Sequence, residues 1–123
     1  MTTARFTSRA PAYSPGAALP DLLATAREHE LHGRIVEAIA GYRAVIDAAD
    51  RRADAKLLAE ALRRLGNIHR RRHELEAATE LTERSFEVSL GANDPNLVGE
   101  ALNALAVIHF VRGDWERARQ EAQ

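Results

Sequence analysis

The chain has 123 residues, of which 46% are hydrophobic and 28% are charged, and its formal net charge is −1. The length favours one domain, and the near-neutral charge gives no general attraction to nucleic acid or to an anionic membrane. The absence of cysteine excludes disulfides, thiolate metal ligands and a cysteine nucleophile.

The first residues are rich in Ser, Thr, Ala and Pro, and this composition predicts a mobile N-terminal tail over residues 1–18. They contain no contiguous apolar core of the kind that a secretory signal peptide has. No apolar run approaches the roughly 18 residues that a membrane span needs. The sequence therefore predicts a soluble, cytoplasmic protein.

The remainder of the chain repeats itself every forty residues. Alanine recurs with this step, as do leucine and histidine; the sets are Ala38, Ala78 and Ala118; Leu22, Leu62 and Leu102; His29, His69 and His109. This register divides residues 19–123 into units of about 19–53, 54–93 and 94–123, and the last unit is incomplete.

Each unit is predicted to contain two helices. The first helix of the middle unit carries apolar residues at helical spacing, namely Leu58, Ala61, Leu62, Leu65 and Ile68. Asp54 and Asp94 suit the N-caps of the first helices, and Pro95 suits the first helical position. Gly33 and Gly113 predict a tight turn, after which the second helices begin near Arg34, Glu74 and Asp114.

The first unit is more polar on its first helix, where Asp21, Thr25 and Glu28 replace small or apolar residues of the later units. A terminal unit lacks a neighbour on one side, so a polar face there fits a terminal cap. The predicted fold is all-α, a solenoid of three stacked antiparallel helix pairs.

The stretches "EALRRLGNIHRRRHELEAA" and "EALNALAVIHFVRGDWERA" resemble the tetratricopeptide repeat, in its forty-residue subclass. The resemblance covers Leu19 to Gln123. Histidine stands where the family has tyrosine in all three units, and His73 replaces the turn glycine, which predicts a slightly strained turn. The resemblance implies a right-handed superhelix that acts as a scaffold or adaptor, including the sensor arms of larger signalling proteins.

In the family, the first helices line a concave groove that holds a partner peptide. The groove positions that this resemblance implies include Leu23, Arg27 and Glu30 in the first unit. In the other units they are Arg63, Asn67, Arg70, Arg71, Asn103, Val107 and Phe110. Arginine binds carboxylates bidentately and asparagine can hold a peptide backbone, so the expected partner is a protein or peptide with acidic and apolar residues.

The arginine cluster has two other interpretations. Residues 54–93 hold seven basic and seven acidic side chains, so an ion-paired, solvated surface is one alternative. RNA binding is the other, minor alternative. It is weakened because no aromatic residue lies among the arginines to stack on bases.

The histidines give no metal site. Equivalent residues of stacked helices lie about 8–10 Å apart, whereas zinc needs its ligands within about 2 Å of one point, so packed, hydrogen-bonded histidines are expected. There is no phosphate-binding loop or nucleophile elbow, and we expect no enzyme activity and no cofactor.

The third unit ends five residues after Ala118, so its second helix is expected to be short and uncapped. This leaves apolar residues uncovered, and two explanations are open: the chain is the N-terminal part of a longer repeat protein, or another chain, such as a second copy, covers them. The alternative function is therefore homo-oligomerisation through the C-terminal face formed by Val111, Trp115, Ala118 and Ala122.

Overall fold

The structure, a computed structural model, describes residues 18–122. These residues form five helices and no strand: α1 (Leu19–Leu31), α2 (Ile35–Arg51), α3 (Ala55–Arg71), α4 (Leu75–Ala92) and α5 (Pro95–Glu121). The all-α prediction is confirmed. The predicted mobile tail lies outside the described residues apart from Ala18, which precedes α1, and so does Gln123.

Helices α3 and α5 begin directly after the predicted N-cap residues, Asp54 and Asp94. The Asp54 carboxylate accepts a hydrogen bond from the Leu57 amide at 3.3 Å. The Asp94 carboxylate accepts from the amides of Asn96 at 3.1 Å and Leu97 at 3.4 Å, and proline occupies the first turn of α5. Each cap satisfies amide groups that have no partner inside the helix.

A single left-handed residue separates each helix from the next. Its φ is 75° at Gly33, 56° at Ala53, 61° at His73 and 56° at Asn93. Glycine adopts this conformation freely, whereas a side chain makes it less favourable. The predicted turn at Gly33 is confirmed, and so is the strained turn at His73.

The predicted turn at Gly113 is wrong, because α5 continues through this residue as one helix of 27 residues. The second helix expected near Asp114 is therefore absent from the described residues. Ala118 is exposed, whereas its equivalents Ala38 and Ala78 are fully buried. A continuous helix keeps every backbone hydrogen bond, and no buried contact of residues 114–122 compensates for breaking them.

Consecutive helices pack against each other throughout the described part of the chain. In addition, α1 contacts α3 and α3 contacts α5, whereas the backbones of α2 and α4 stay more than 8 Å apart. The Arg84 guanidinium of α4 still reaches within 3.8 Å of the Asp50 carboxylate of α2. The core between them is built from alanine and medium-sized apolar side chains. Its largest fully buried members include Tyr42, Val45, Leu62, Ile68 and Ile108.

Small residues set how closely paired helices approach. A Cβ atom placed on Gly41 of α2 would lie 2.9 Å from the Ala26 Cβ of α1. A Cβ on Gly66 of α3 would lie 2.6 Å from the Thr82 Oγ1 and 3.3 Å from the Ala78 carbonyl oxygen of α4. The helix backbones are therefore nearly in contact at these points.

No helix within residues 18–122 combines the length and the apolar character that a membrane span requires.

We expect Gly66→Ala to lower the free energy of unfolding by about 1–2 kcal/mol, because the added methyl overpacks the contact with Thr82 and Ala78. The matched control is Gly99→Ala on α5, where nothing lies within 4 Å of the new methyl. Alanine stabilises a helix relative to glycine, so this control should gain about 0.5–1 kcal/mol. Urea denaturation followed by circular dichroism measures both changes. Equal shifts in the two variants would contradict the close approach of α3 and α4.

Candidate partner-binding groove

The predicted groove residues occupy two helices that contact each other, α3 and α5. On α3, Arg63, Asn67 and Arg70 are half-buried and Arg71 is exposed. On α5, the three positions are exposed, namely Asn103, Val107 and Phe110. The exposed fraction is 42% for Val107 and 68% for Phe110, which leaves two apolar side chains accessible to a partner.

An ion pair links α3 to α5 at this surface. The Arg63 Nη2 lies 3.2 Å from the Glu100 Oε1, and the Arg63 side chain is largely buried. Asn103 and Val107 follow Glu100 by three and seven residues, so they continue along the same side of α5. Arg63 thus orients the two helices toward each other, and its charge is already partly neutralised within the chain.

A second cluster links α1, α2 and α3. The Glu30 carboxylate accepts hydrogen bonds from the Tyr42 hydroxyl and from the Arg71 Nη2, both at 2.5 Å. Burial would raise the pKa of Glu30, but the bonds from Tyr42 and Arg71 outweigh it, so this pKa lies below its ordinary value. Burial and the bond to Glu30 raise the pKa of the Tyr42 hydroxyl.

The role of Tyr42 in this cluster was missed by sequence reasoning. A buried tyrosine hydroxyl usually has a hydrogen-bond partner, and this rule was the available signal. It could not name Glu30 as the partner, since that requires knowing how α1 and α2 are placed.

Arg70 differs from the arginines on either side of it in the predicted groove. Its Nε is buried and has no hydrogen-bond partner among the described residues. An unsatisfied buried donor is costly, typically about 1–3 kcal/mol. Arg70 is therefore the predicted groove arginine with an unused donor.

Two of the three repeated histidines are hydrogen-bonded at the helix ends. The His69 Nδ1 lies 2.7 Å from the Glu74 Oε1, and this bond lowers the pKa of Glu74. The His29 Nδ1 accepts from the Arg34 Nε at 2.8 Å. His109 is exposed on the straight part of α5, so the prediction that it packs is wrong. Within residues 18–122, no group of His, Asp and Glu side chains is arranged to hold a metal ion.

The predicted oligomer face lies at the C-terminal end of α5. Val111 is half-buried, and the other three positions, Trp115, Ala118 and Ala122, are exposed. Leu102, which the repeat predicts to be in the core, is also exposed.

No protein-family model matches the chain, and no curated protein or solved structure matches it either. The described residues define an all-helical protein of consecutively packed helices, which is compatible with a helical repeat.

We expect Glu30→Gln to lower the free energy of unfolding at pH 7 by about 1–3 kcal/mol, because it weakens the charge-assisted bonds to Tyr42 and Arg71. The control is Glu28→Gln, whose exposed carboxylate has His32 3.8 Å away, and it should change stability little.

The effect of Glu30→Gln should depend on pH. The pKa of Glu30 in the folded chain lies below its ordinary value of 4.5. The ionised carboxylate therefore stabilises the fold fully above pH 4.5, and this stabilisation is lost as the pH falls through the lowered pKa. Urea unfolding at several pH values measures the difference from the parent chain. A difference that stayed constant down to pH 2 would contradict the ionised state of Glu30.

Proposed function

We propose that the chain is a protein–protein interaction module, a scaffold or adaptor that acts in the cytoplasm. In this proposal, α1, α3 and α5 form the concave side of a right-handed helical array of the tetratricopeptide type. The groove along them holds a peptide segment that has acidic and apolar residues. The module could serve as the sensor arm of a larger regulatory protein.

The helix contacts support the concave side. The backbones of α1, α3 and α5 approach each other closely in sequence, whereas those of α2 and α4 on the other side lie farther apart and are linked by the long side chain of Arg84 to Asp50. Closer spacing on one side than on the other favours a layer that curves around α1, α3 and α5. A curved layer of this kind presents an extended surface on which a peptide can lie.

The chemistry of the groove supports a ligand carboxylate. Arg63 and Arg71 already have carboxylate partners within the chain, Glu100 and Glu30. Arg70 carries the proposal, because its guanidinium has no carboxylate partner among the described residues and its Nε is enclosed without a hydrogen bond. A carboxylate from a partner would bind the terminal nitrogens of this half-buried side chain with charge-assisted bonds. The apolar part of the ligand would contact Val107 and Phe110 on the neighbouring helix.

A second candidate function is self-assembly through α5. It is favoured by the 54% exposure of Trp115, a side chain that proteins seldom leave uncovered. RNA binding through the arginine cluster is less well supported. Arg63, Arg64 and Arg71 all pair with glutamates, and this reduces the free positive charge that phosphates would need.

Peptide selection tests the groove. A random peptide library displayed on phage is selected on the immobilised chain, and the affinity of the selected peptides is measured by calorimetry. We expect peptides that combine Asp or Glu with a large apolar residue. Arg70→Gln should weaken them roughly tenfold or more through the lost charge-assisted bonds, and Phe110→Ser should do so through lost apolar burial.

The matched control is Arg84→Gln on α4, which is not one of the groove residues and whose guanidinium lies 3.8 Å from the Asp50 carboxylate of α2. This variant should keep the parent affinity. Circular dichroism establishes that all three variants are folded. Selected peptides that bind Arg70→Gln and Phe110→Ser as tightly as the parent chain would refute the groove, whichever residues they contain.

A further inference from the structure

One face of α5 is uncovered although its counterpart on α3 is packed. Leu62 of α3 has 0% of its surface exposed, whereas its equivalent Leu102 on α5 has 49% exposed. Gly66 is buried, whereas its equivalent Ala106 is exposed. On α3 this face is covered by α4, as the close contact between Gly66 and Thr82 shows.

A hydrogen bond fixes the same pairing at the other end of the α3 face. The Ser85 hydroxyl of α4 donates to the Ala59 carbonyl oxygen at 2.7 Å. The equivalent of Ala59 on α5 is Gly99, and no atom of the described part of the chain lies within 4 Å of the position of its missing Cβ. The face of α5 formed by Gly99, Leu102 and Ala106 therefore carries small and apolar residues, as a helix-packing face does, and no helix within residues 18–122 occupies it. We call it the open face.

One segment of the chain matches, position by position, the helices α2 and α4 that cover the equivalent faces of α1 and α3. In α2 the covering positions are Ala38 and Tyr42, and in α4 they are Ala78 and Thr82; all four side chains are fully buried. The equivalents of these positions at the end of α5 are Ala118 and Ala122, preceded by Trp115 at the position of Ile35 and Leu75. Residues 114–122 thus repeat the pattern of α2 and α4.

The residues before this segment repeat the pattern of the turns. Gly113 is equivalent to Gly33, with a φ of 75°, and to His73, with a φ of 61°. Glycine is the residue that adopts this conformation most easily, so the turn is more favourable at Gly113 than at His73. His109 and Asp114 reproduce the imidazole and the acidic group that meet across the α3–α4 turn, where His69 and Glu74 lie 2.7 Å apart.

We propose that the open face is a helix-binding surface whose occupant is the chain's own segment 114–122, which folds back through a hinge at Gly113. The straight α5 of the structure is the open form, and the closed form is a helix pair like α3–α4. Closure covers Leu102 and Ala106 and brings Asp114 to His109. Phe110 of the proposed groove follows Ala106 by one helical turn, so the open face adjoins the groove. Closure is measured without any peptide, so its test is distinct from that of the groove.

Two opposing effects decide between the open and the closed form. Closure interrupts the backbone hydrogen bonds of α5 around Gly113, and an isolated helix of about nine residues has little stability of its own. Packing of Trp115 and Ala118 on the open face acts in the opposite direction. Segment 114–122 of a second copy could cover the open face with the same side chains. The experiment must therefore distinguish closure within one chain from pairing between two chains.

A disulfide can report closure because the chain contains no cysteine. A Cβ on Gly66 would lie 3.5 Å from the Leu81 Cβ, and a Cβ on Gly41 would lie 2.9 Å from the Ala26 Cβ. In both helix pairs these are equivalent positions, and their counterparts in the third unit are 106 and 121. A disulfide needs Cβ atoms about 3.5–4.5 Å apart, whereas fifteen residues of straight helix separate these two positions by about 22 Å.

The test uses the double variant Ala106→Cys, Glu121→Cys under mild oxidation, with mass spectrometry after non-reducing electrophoresis. We expect an intramolecular disulfide in the monomer. The control pair is Ala106→Cys with Glu116→Cys, which is closer along the straight helix. Position 116 is equivalent to Glu76 of α4, which is exposed to solvent. In the closed form position 116 would therefore face away from position 106, and the control disulfide should form at least tenfold more slowly. Oxidation of the urea-unfolded chains establishes that every pair can react.

Adding Gly113→Ala to the first pair should slow the disulfide roughly tenfold, because alanine favours the straight helix and disfavours the left-handed turn. Three results would overturn the proposal. They are a monomer that forms no disulfide beyond the control pair, a disulfide found between two chains and not within one, and an unchanged rate in the Gly113→Ala background.

Discussion

Close packing of each first helix against the helix that follows it is the constraint on which the rest of the structure depends. Gly66 lies against Thr82, and Ala26 lies against Gly41, so the backbones approach almost to contact. Only small residues permit this distance, and larger side chains can then fill the spaces on either side. The abundance of alanine and the scarcity of aromatic residues in the sequence follow from this geometry.

Polar interactions then fix how neighbouring pairs sit beside one another. Glu30 connects α1 with α2 and α3 through Tyr42 and Arg71, and Arg63 connects α3 with α5 through Glu100. These contacts pair Arg63 and Arg71 with glutamates, although the sequence alone predicts both arginines to be free to bind a ligand. They leave Arg70 with a buried donor that has no partner in the described residues, and this residue is the centre of the proposed peptide site.

The helix starts after Asp54 and Asp94 and the turn at Gly33 could be predicted because they depend on local chemistry. Asp54 and Asp94 cap their helices through their own side chains, and Gly33 adopts the left-handed conformation that glycine favours. Gly113 has the same local sequence signal and yet lies within a helix. A glycine permits a turn, but the turn forms where the following segment gains burial, and burial depends on partners that are distant in sequence.

The sequence by itself determined that the described residues are helical, where most of the helices begin and end, and which positions are equivalent between units. These properties follow from periodicity, capping and turn residues that act within a few positions. Only the tertiary structure decided which arginines are neutralised by glutamates, which leucine of an equivalent set is buried, and that α5 runs straight. Each of these depends on whether another helix occupies the adjacent space, and Leu62 and Leu102 differ for that reason alone.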